Sequence, residues 1–332
     1  MSARSALVVL TALLLAGCET LSYYRQAIGG HLQIMAAARP VQDWLADPAT
    51  PAELRERLAT AQGIRDFASR GLGLPDNGSY RSYADIGRPY VVWNVFAAPA
   101  FAVAPKLECF PIAGCVSYRG FFSEDAARRH AGGLRAAGYD VFVGGVAAYS
   151  TLGWFDDPLL SSFIRYPDAQ LARLIFHELA HQLVYAKNDT TFNESFAVVV
   201  EEAGVRRWLE SAGRVDDLER FRATQARRRD FAARIKDTRE RLRTIYASGA
   251  SQDAMLEQKR GEFERLRASF GAAVPAEPNN AFLLAIALYN ELVPGFERVL
   301  AESGSLEQFY RRVRELAATE RSIRDPLLGR NP

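Results

Sequence analysis

The residue types best suited to chemistry are concentrated in one stretch, HELAH, which holds two of the chain's four histidines. Residues four apart in an α-helix face the same side, because each residue advances by about 100°. The imidazoles of His177 and His181 can therefore bind one metal ion. Glu178 faces a different side, where it could act on a water bound to that ion. The pattern predicts a hydrolytic site with two metal ligands and a general base.

The residues around this motif are apolar and include Ile175, Phe176, Leu179 and Leu183. Such a helix is predicted to be buried, and buried imidazoles need partners. A metal ion supplies one partner to both rings. We therefore favour a metal site over two core histidines that only form hydrogen bonds.

The third ligand of the site is predicted to be a carboxylate. No histidine follows His181, which excludes the long HExxHxxGxxH pattern. Glu194, in FNESFA, is the first glutamate after the motif and is the favoured ligand. Glu201 is the alternative ligand; if Glu194 binds the metal, Glu201 could orient a ligand imidazole through its other ring nitrogen.

Amide hydrolysis also requires a donor to the developing oxyanion. Because histidine is nearly exhausted, we expect a tyrosine in this role. Tyr149 and Tyr289 are the favoured candidates, and Tyr185 is a third.

The periodicity of the chain predicts an α+β fold that is mostly helical. The predicted parts are a small sheet with a crossover helix (residues 88–150), two helices that carry the site (168–210), an antiparallel helical hairpin (214–270) and C-terminal helices (280–320). An earlier helix is predicted to begin with a capping box formed by Thr50 and Glu53.

The N-terminal stretch MSARSALVVLTALLLAGC resembles the signal peptide of a bacterial lipoprotein. Its apolar run is shorter than the roughly 20 residues that span a bilayer. In this interpretation residues 1–17 are removed, Cys18 is lipidated, and residues 18–332 form a single domain held at a membrane. Glu19 favours the outer membrane, with the protein facing the periplasm.

The two remaining cysteines and the net charge give further information on the protein's compartment and partners. Cys109 and Cys115 are separated by a short loop, and an oxidising compartment would pair them in a disulfide. The net charge of +2 gives no case for nucleic-acid binding. No sequence feature indicates an obligate protein partner.

Several segments together resemble a known family. FNESFA is similar to the NExxS segment of thermolysin-type gluzincins, although Val198 stands where that group has an aspartate. FHELAHQLVY, AYSTLGWFDDPLLSSF and NNAFLLAIALYNELVPGF resemble the predicted-aminopeptidase family of bacterial lipoproteins. The resemblance implies a zincin-like fold with the hairpin as an insertion, one zinc ion and a peptide substrate.

An aminopeptidase must also hold the free amine of its substrate. The Gly-x-Met-Glu-Asn segment of established zinc aminopeptidases is absent from this sequence. Asp156 or Asp157 could take that role, although a turn function is the simpler interpretation. Two other functions stay open: an envelope binding or assembly lipoprotein with an idle metal site, and a zinc hydrolase that cleaves cell-wall peptides.

Overall fold

A computed structural model describes residues 23–110 and 114–329. The predicted signal peptide and Cys18 lie outside these residues. The fold is α+β and mostly helical with small sheets, which confirms the predicted class. Within the described residues, no helix combines the length and apolarity needed to cross a membrane.

The elements follow the chain in this order. The helices are α1 (residues 23–37), α2 (Val41–Ala46), α3 (Ala52–Leu72), α4 (Glu124–Ala136), α5 (Asp168–Leu183), α6 (Thr190–Ser211), α7 (Val215–Tyr246), α8 (Gln252–Phe270), α9 (Asn280–Leu288), α10 (Val293–Ser303), α11 (Leu306–Ala318) and α12 (Arg321–Leu327). The strands are β1 (Arg39–Pro40), β2 (Ser82–Ala84), β3 (Val92–Pro99), β4 (Glu108–Phe110), β5 (Gly114–Val116), β6 (Arg119–Phe121), β7 (Tyr139–Val146) and β8 (Leu159–Leu160).

Strand β3 is the centre of the predicted sheet and pairs antiparallel with β6 on one side and β7 on the other. Side chains alternate between the two faces of a strand. Trp93 and Val95 therefore pack with helix α4, whereas Phe96 packs with helix α9 on the opposite face. Because helices cover both faces, nearly the whole strand is buried.

Two short sheets complete the strand pairing. Strands β4 and β5 form a hairpin in which Cys109 lies opposite Cys115, and these residues form the predicted disulfide. Strands β1, β2 and β8 form the other sheet, in which β2 and β8 run parallel with Tyr83 opposite Leu159. This sheet brings together the segments that precede β2 and β8.

Helices α3, α5 and α6 supply much of the largest apolar core. Their close approach depends on Gly204 of α6, because a Cβ there would lie 2.7 Å from Cδ2 of Phe176 and 2.8 Å from Cδ1 of Leu72. Helices α7 and α8 run antiparallel, since Arg241 bonds to Glu262 while Phe231 contacts Phe270.

The predicted capping box is wrong. Pro51 has an extended ψ of 137° and precedes the first helical residue, Ala52, so the helix begins one residue later than the box requires. The hydroxyl of Thr50 consequently has no hydrogen-bond partner among the described residues.

Side chains at the helix ends set the boundaries near the site. Helix α6 begins at Thr190, because the side chain of Asp189 accepts a hydrogen bond from the backbone N of Phe192 and caps the helix. Helix α9 ends at Leu288, which leaves Tyr289 as its C-terminal cap.

Candidate metal centre

The two histidines of the motif lie on one side of α5, as helix geometry requires. The ring centroids of His177 and His181 are 4.8 Å apart, and the ring planes are nearly perpendicular, at 87°. The His181 side chain is 8% exposed and the His177 side chain 12%. The apolar face of α5 thus holds two imidazoles that have little access to water.

Glu194 reaches this pair because the connection between α5 and α6 turns back sharply. The side chain of Asn193 fixes this turn: its Oδ1 accepts from the backbone N of Ala186 at 2.7 Å, and its Nδ2 donates to the backbone O of Ala186 at 2.9 Å. Asn193 was not singled out from the sequence, although it precedes the predicted ligand directly. Its role is to hold the start of α6 against the end of α5.

Three potential ligand atoms converge at the resulting site. Nε2 of His177 lies 3.2 Å from Nε2 of His181 and 3.2 Å from Oε2 of Glu194. The third separation, between Nε2 of His181 and Oε2 of Glu194, is 3.6 Å. Ligands about 2.0–2.1 Å from a tetrahedral zinc ion are separated by about 3.3 Å. The three side chains therefore have the chemistry and the spacing to hold a metal ion.

Electrostatic coupling within the group is strong. Burial lowers the pKa of His177, but hydrogen bonds to Glu194 and Glu201 prevail and raise it to about 10. Burial raises the pKa of Glu194, but the charge on His181 and the bonds with both histidines prevail and lower it to about 2. Without a metal, a proton on His177 therefore compensates the carboxylate charge.

Glu201, the alternative ligand, lies on the other side of the His177 ring. Its Oε2 is 2.8 Å from Nδ1 of His177, and its Oε1 accepts from Nη1 of Arg173 at 2.8 Å. Burial raises the pKa of Glu201, but Arg173 and His177 outweigh this effect and lower it. Glu201 therefore orients His177, while Glu194 belongs to the group that could hold a metal ion.

Glu178 is partly buried one residue after His177. Burial raises its pKa, the charges on His177 and His181 oppose this, and Glu194 and Glu201 add to the increase, so the pKa lies above its usual range. A carboxyl group of this kind holds a proton more readily than an exposed glutamate.

Two tyrosines lie near the three potential ligands. The Tyr289 ring centroid is 6.2 Å from that of His177, and burial together with the charge on Glu194 raises the pKa of Tyr289. Burial and the charge on Glu194 also raise the pKa of Tyr118, which lies between β5 and β6. The sequence around Tyr118 gives no indication of a role in the site, because this residue lies in the sheet region, far from the HELAH motif along the chain.

The other predicted tyrosines are placed differently. The hydroxyl of Tyr149 forms a hydrogen bond of 2.7 Å with Nδ1 of His31. Its ring lies against His31 and Phe122. Tyr185 is 38% exposed, although partial burial and the charge on Glu194 raise its pKa.

A family model described as "Putative aminopeptidase" matches residues 22–328. The chain belongs to this family. The match covers all three converging ligand side chains and Glu178, and the family description suggests peptidase activity on a peptide substrate. Comparison with curated proteins and with solved structures gives no significant match.

Proposed function

We propose that this protein is a zinc-dependent aminopeptidase with His177, His181 and Glu194 as metal ligands and Glu178 as general base. The observation that carries the proposal is the convergence of these three ligand side chains in a member of this family. Such a convergence of buried side chains is unusual for residues that only fill a core.

Zinc is the proposed metal because of the donor atoms. Two imidazole nitrogens and one carboxylate oxygen form a common ligand set for catalytic zinc, which keeps a fourth position for water or substrate. The separations of 3.2, 3.2 and 3.6 Å fit a tetrahedral arrangement. When bound, zinc lowers the pKa of its water and polarises the scissile carbonyl.

The proton transfers are assigned to Glu178. In the proposed reaction its carboxylate accepts the proton of the attacking water and later gives it to the leaving amine. The raised pKa of Glu178 supports this assignment, because the residue must hold the proton between the two transfers.

The oxyanion donor is proposed to be Tyr289. Its electrostatic coupling to Glu194 and Glu178 and its position beside the His177 ring support this choice. Tyr118 is the second candidate, since its hydroxyl is coupled to the same two carboxylates. Tyr149 is less suited to this role, because its hydroxyl is bonded to His31.

The wider setting is also part of the proposal. Residues 18–332 are proposed to form one zincin-like domain in which α7 and α8 are an insertion. We propose that lipidation of Cys18 holds this domain at the outer membrane, facing the periplasm. The resemblance of LAGC to a lipobox and the disulfide between Cys109 and Cys115 support an envelope location.

The deciding experiment compares the wild-type protein with Glu178→Gln. Zinc content should be one ion per chain in both proteins, whereas hydrolysis of free peptides should fall by at least about 10³-fold in the variant. The control for loss of a glutamate charge elsewhere is Glu210→Gln, which changes an exposed residue at the far end of α6 and should leave both measurements unchanged.

The same experiment separates the other functions. A wild-type protein that holds zinc but cleaves no member of a peptide library would contradict the enzyme and favour a binding or assembly role. Cleavage confined to cell-wall peptides would favour a zinc hydrolase that acts on the cell wall.

A further inference from the structure

A buried carboxyl group outside the candidate metal centre lacks a full set of partners. Asp157 is only 1% exposed. Its Oδ2 accepts a hydrogen bond of 2.9 Å from the backbone N of Thr151, but its Oδ1 has no hydrogen-bond partner among the described residues. Buried carboxylate oxygens are normally paired with donors or cations. The missing donor therefore points to a ligand.

Tyr80 presents a second buried polar atom without a partner. It is 1% exposed, and its hydroxyl has no hydrogen-bond partner within residues 23–110 and 114–329. Its φ of 63° lies in the left-handed region, which bulky residues rarely adopt. Such conformations persist where the surrounding structure enforces them, often at binding sites.

The backbone brings Tyr80 and Asp157 together. Each precedes one of two paired parallel strands, β2 and β8, and the backbone N of Tyr80 donates to the backbone O of Asp157 at 2.6 Å. Parallel pairing places the residues that precede the two strands at the same end of the sheet. The two residues are therefore direct backbone neighbours although the chain separates them widely.

Arg65 holds the segment that carries Tyr80 in place. This arginine is fully buried on α3 and donates to the backbone oxygens of Pro75, Asn77 and Ser79 at 2.7, 3.1 and 2.8 Å. A guanidinium that bonds three carbonyls fixes the path of the backbone. The strained conformation of Tyr80 follows directly after this fixed segment.

Gln182 connects the same segment to α5. Its Oε1 accepts from Nδ2 of Asn77 at 2.8 Å, and its Nε2 donates to Oγ of Ser79 at 3.1 Å. Glu178 lies one turn before Gln182, so both face the same side of the helix. The general base thus faces the segment that ends in Tyr80. Consistent with this, burial and then the charges on Glu178 and Asp157 raise the pKa of Tyr80.

A primary ammonium group matches this pair of acceptors. It carries a positive charge, which a buried carboxylate requires, and several N–H donors for Asp157 Oδ1 and the Tyr80 hydroxyl. In a peptide, only one Cα separates the terminal amine from the first carbonyl. An acceptor for that amine must therefore lie near the general base, and Gln182, one turn after Glu178, bonds to the segment that ends in Tyr80.

We propose that Oδ1 of Asp157, together with the hydroxyl of Tyr80, binds the free α-ammonium of the peptide substrate and so restricts cleavage to the first peptide bond. This inference rests on the proposed zinc peptidase activity. Because both atoms are buried, the amine reaches them when the loop 149–157 moves outward. Trp154 and Phe155 at the tip of this loop are 79% and 51% exposed.

The neighbouring residue provides a matched control. Asp156 carries the same charge on the same loop, but it is exposed, and its carboxylate lies close to Gly78. Asp156→Asn therefore changes the local charge without removing the buried acceptor.

The test is the ratio of kcat/KM for a short peptide with a free amino end to kcat/KM for its N-acetylated form. We expect the wild type to favour the free peptide and Asp157→Asn to lower this ratio about 100-fold, mainly through KM. Tyr80→Phe, which removes only the hydroxyl, should lower the ratio about tenfold. Asp156→Asn should leave it within about twofold of the wild-type ratio.

Two results would overturn the proposal: a wild type that cleaves both peptides equally, or an unchanged ratio in Asp157→Asn. The measurement can also be made without turnover, by calorimetric titration of zinc-loaded Glu178→Gln with the two peptides, and then in the same protein carrying Asp157→Asn. Equal affinity for the two peptides would reject the ammonium site. Suppose instead that zinc-loaded Glu178→Gln binds the free peptide preferentially, but the wild type hydrolyses neither peptide. The proposed peptidase function is then rejected, and the ammonium site is retained.

Discussion

Nδ1 of His177 lies 2.8 Å from Oε2 of Glu201, on the side of the ring opposite Glu194. This contact fixes the ring so that Nε2 faces Oε2 of Glu194 and Nε2 of His181. A carboxylate behind a ligand imidazole also increases the basicity of the coordinating nitrogen. Arg173 holds Glu201 in turn, so the orientation of His177 depends on a chain of two charged side chains.

Glu201→Gln should weaken zinc binding about 10- to 100-fold, because the amide retains the shape of the side chain but not its charge. The affinity is measured by competition with a chromogenic chelator. Glu202→Gln is the matched control, because it makes the same charge change one residue further along α6. Glu202 bonds to Arg229. Equal zinc affinities of the two variants would contradict the role of Glu201.

Zinc affinity should depend steeply on pH. The pKa of His177 in the metal-free protein is about 10, so this ring is protonated at neutral pH and must lose its proton when it binds zinc. Because this one proton is lost on binding, zinc affinity should rise by about tenfold for each unit of increase in pH. Calorimetric titration in buffers of different ionisation enthalpy counts the protons released. Release of no proton near neutral pH would contradict the prediction.

Tyr289→Phe should lower kcat about 100-fold with little change in KM, because an oxyanion donor acts mainly in the transition state. Steady-state kinetics on one free peptide are sufficient to measure both constants. Tyr90→Phe removes a hydroxyl from an exposed tyrosine that packs against Trp93 and should have little effect. If Tyr118→Phe shows the large loss and Tyr289→Phe does not, the donor is Tyr118.

Asp157 should make the protein less stable as pH rises. Burial raises its pKa from 3.8 to about 6 in the folded protein. Between these values the folded state binds more protons than the unfolded state, so the free energy of unfolding falls with increasing pH. Each pKa unit corresponds to about 1.4 kcal/mol, which gives a total loss of about 3 kcal/mol above the folded pKa.

The corresponding measurement is urea unfolding of the wild type and Asp157→Asn across this range. The asparagine does not titrate, so its stability relative to the wild type should increase by about 3 kcal/mol between about pH 4 and about pH 7. Groups that do not interact with Asp157 titrate equally in both proteins and cancel in the difference. A difference that is constant with pH would refute the assignment.

Gly204→Ala should destabilise the protein by about 1–3 kcal/mol, because the added Cβ would overlap with Phe176 and Leu72. Gly132→Ala is the control, since this helical glycine of α4 has no atom within 4 Å of an added Cβ. The second substitution should stabilise by about 0.5–1 kcal/mol through helix propensity. Thermal unfolding of both variants gives the comparison, and equal shifts would argue against close packing at Gly204.

Local geometry accounts for what the sequence could predict. The pairing of His177 with His181 follows from helix periodicity alone. The absence of later histidines indicates a carboxylate as the third ligand, and Glu194 is the first glutamate after the motif. Tyr80 could not be found in this way, because strand pairing and a buried arginine, both formed by distant segments, fix its position. The capping prediction at Thr50 failed because the position of Pro51 relative to the first helical residue decides the cap.

The disulfide hairpin lies against the connection between the two helices that carry the ligands. The backbone N of Cys115 donates to Oδ1 of Asn188 at 2.8 Å, and Asn188 itself has a left-handed φ of 64°. The disulfide between Cys109 and Cys115 restricts the conformations of this hairpin. The disulfide and the candidate metal site are therefore linked through Asn188: reduction of the disulfide would loosen the hairpin that contacts the connection between α5 and α6.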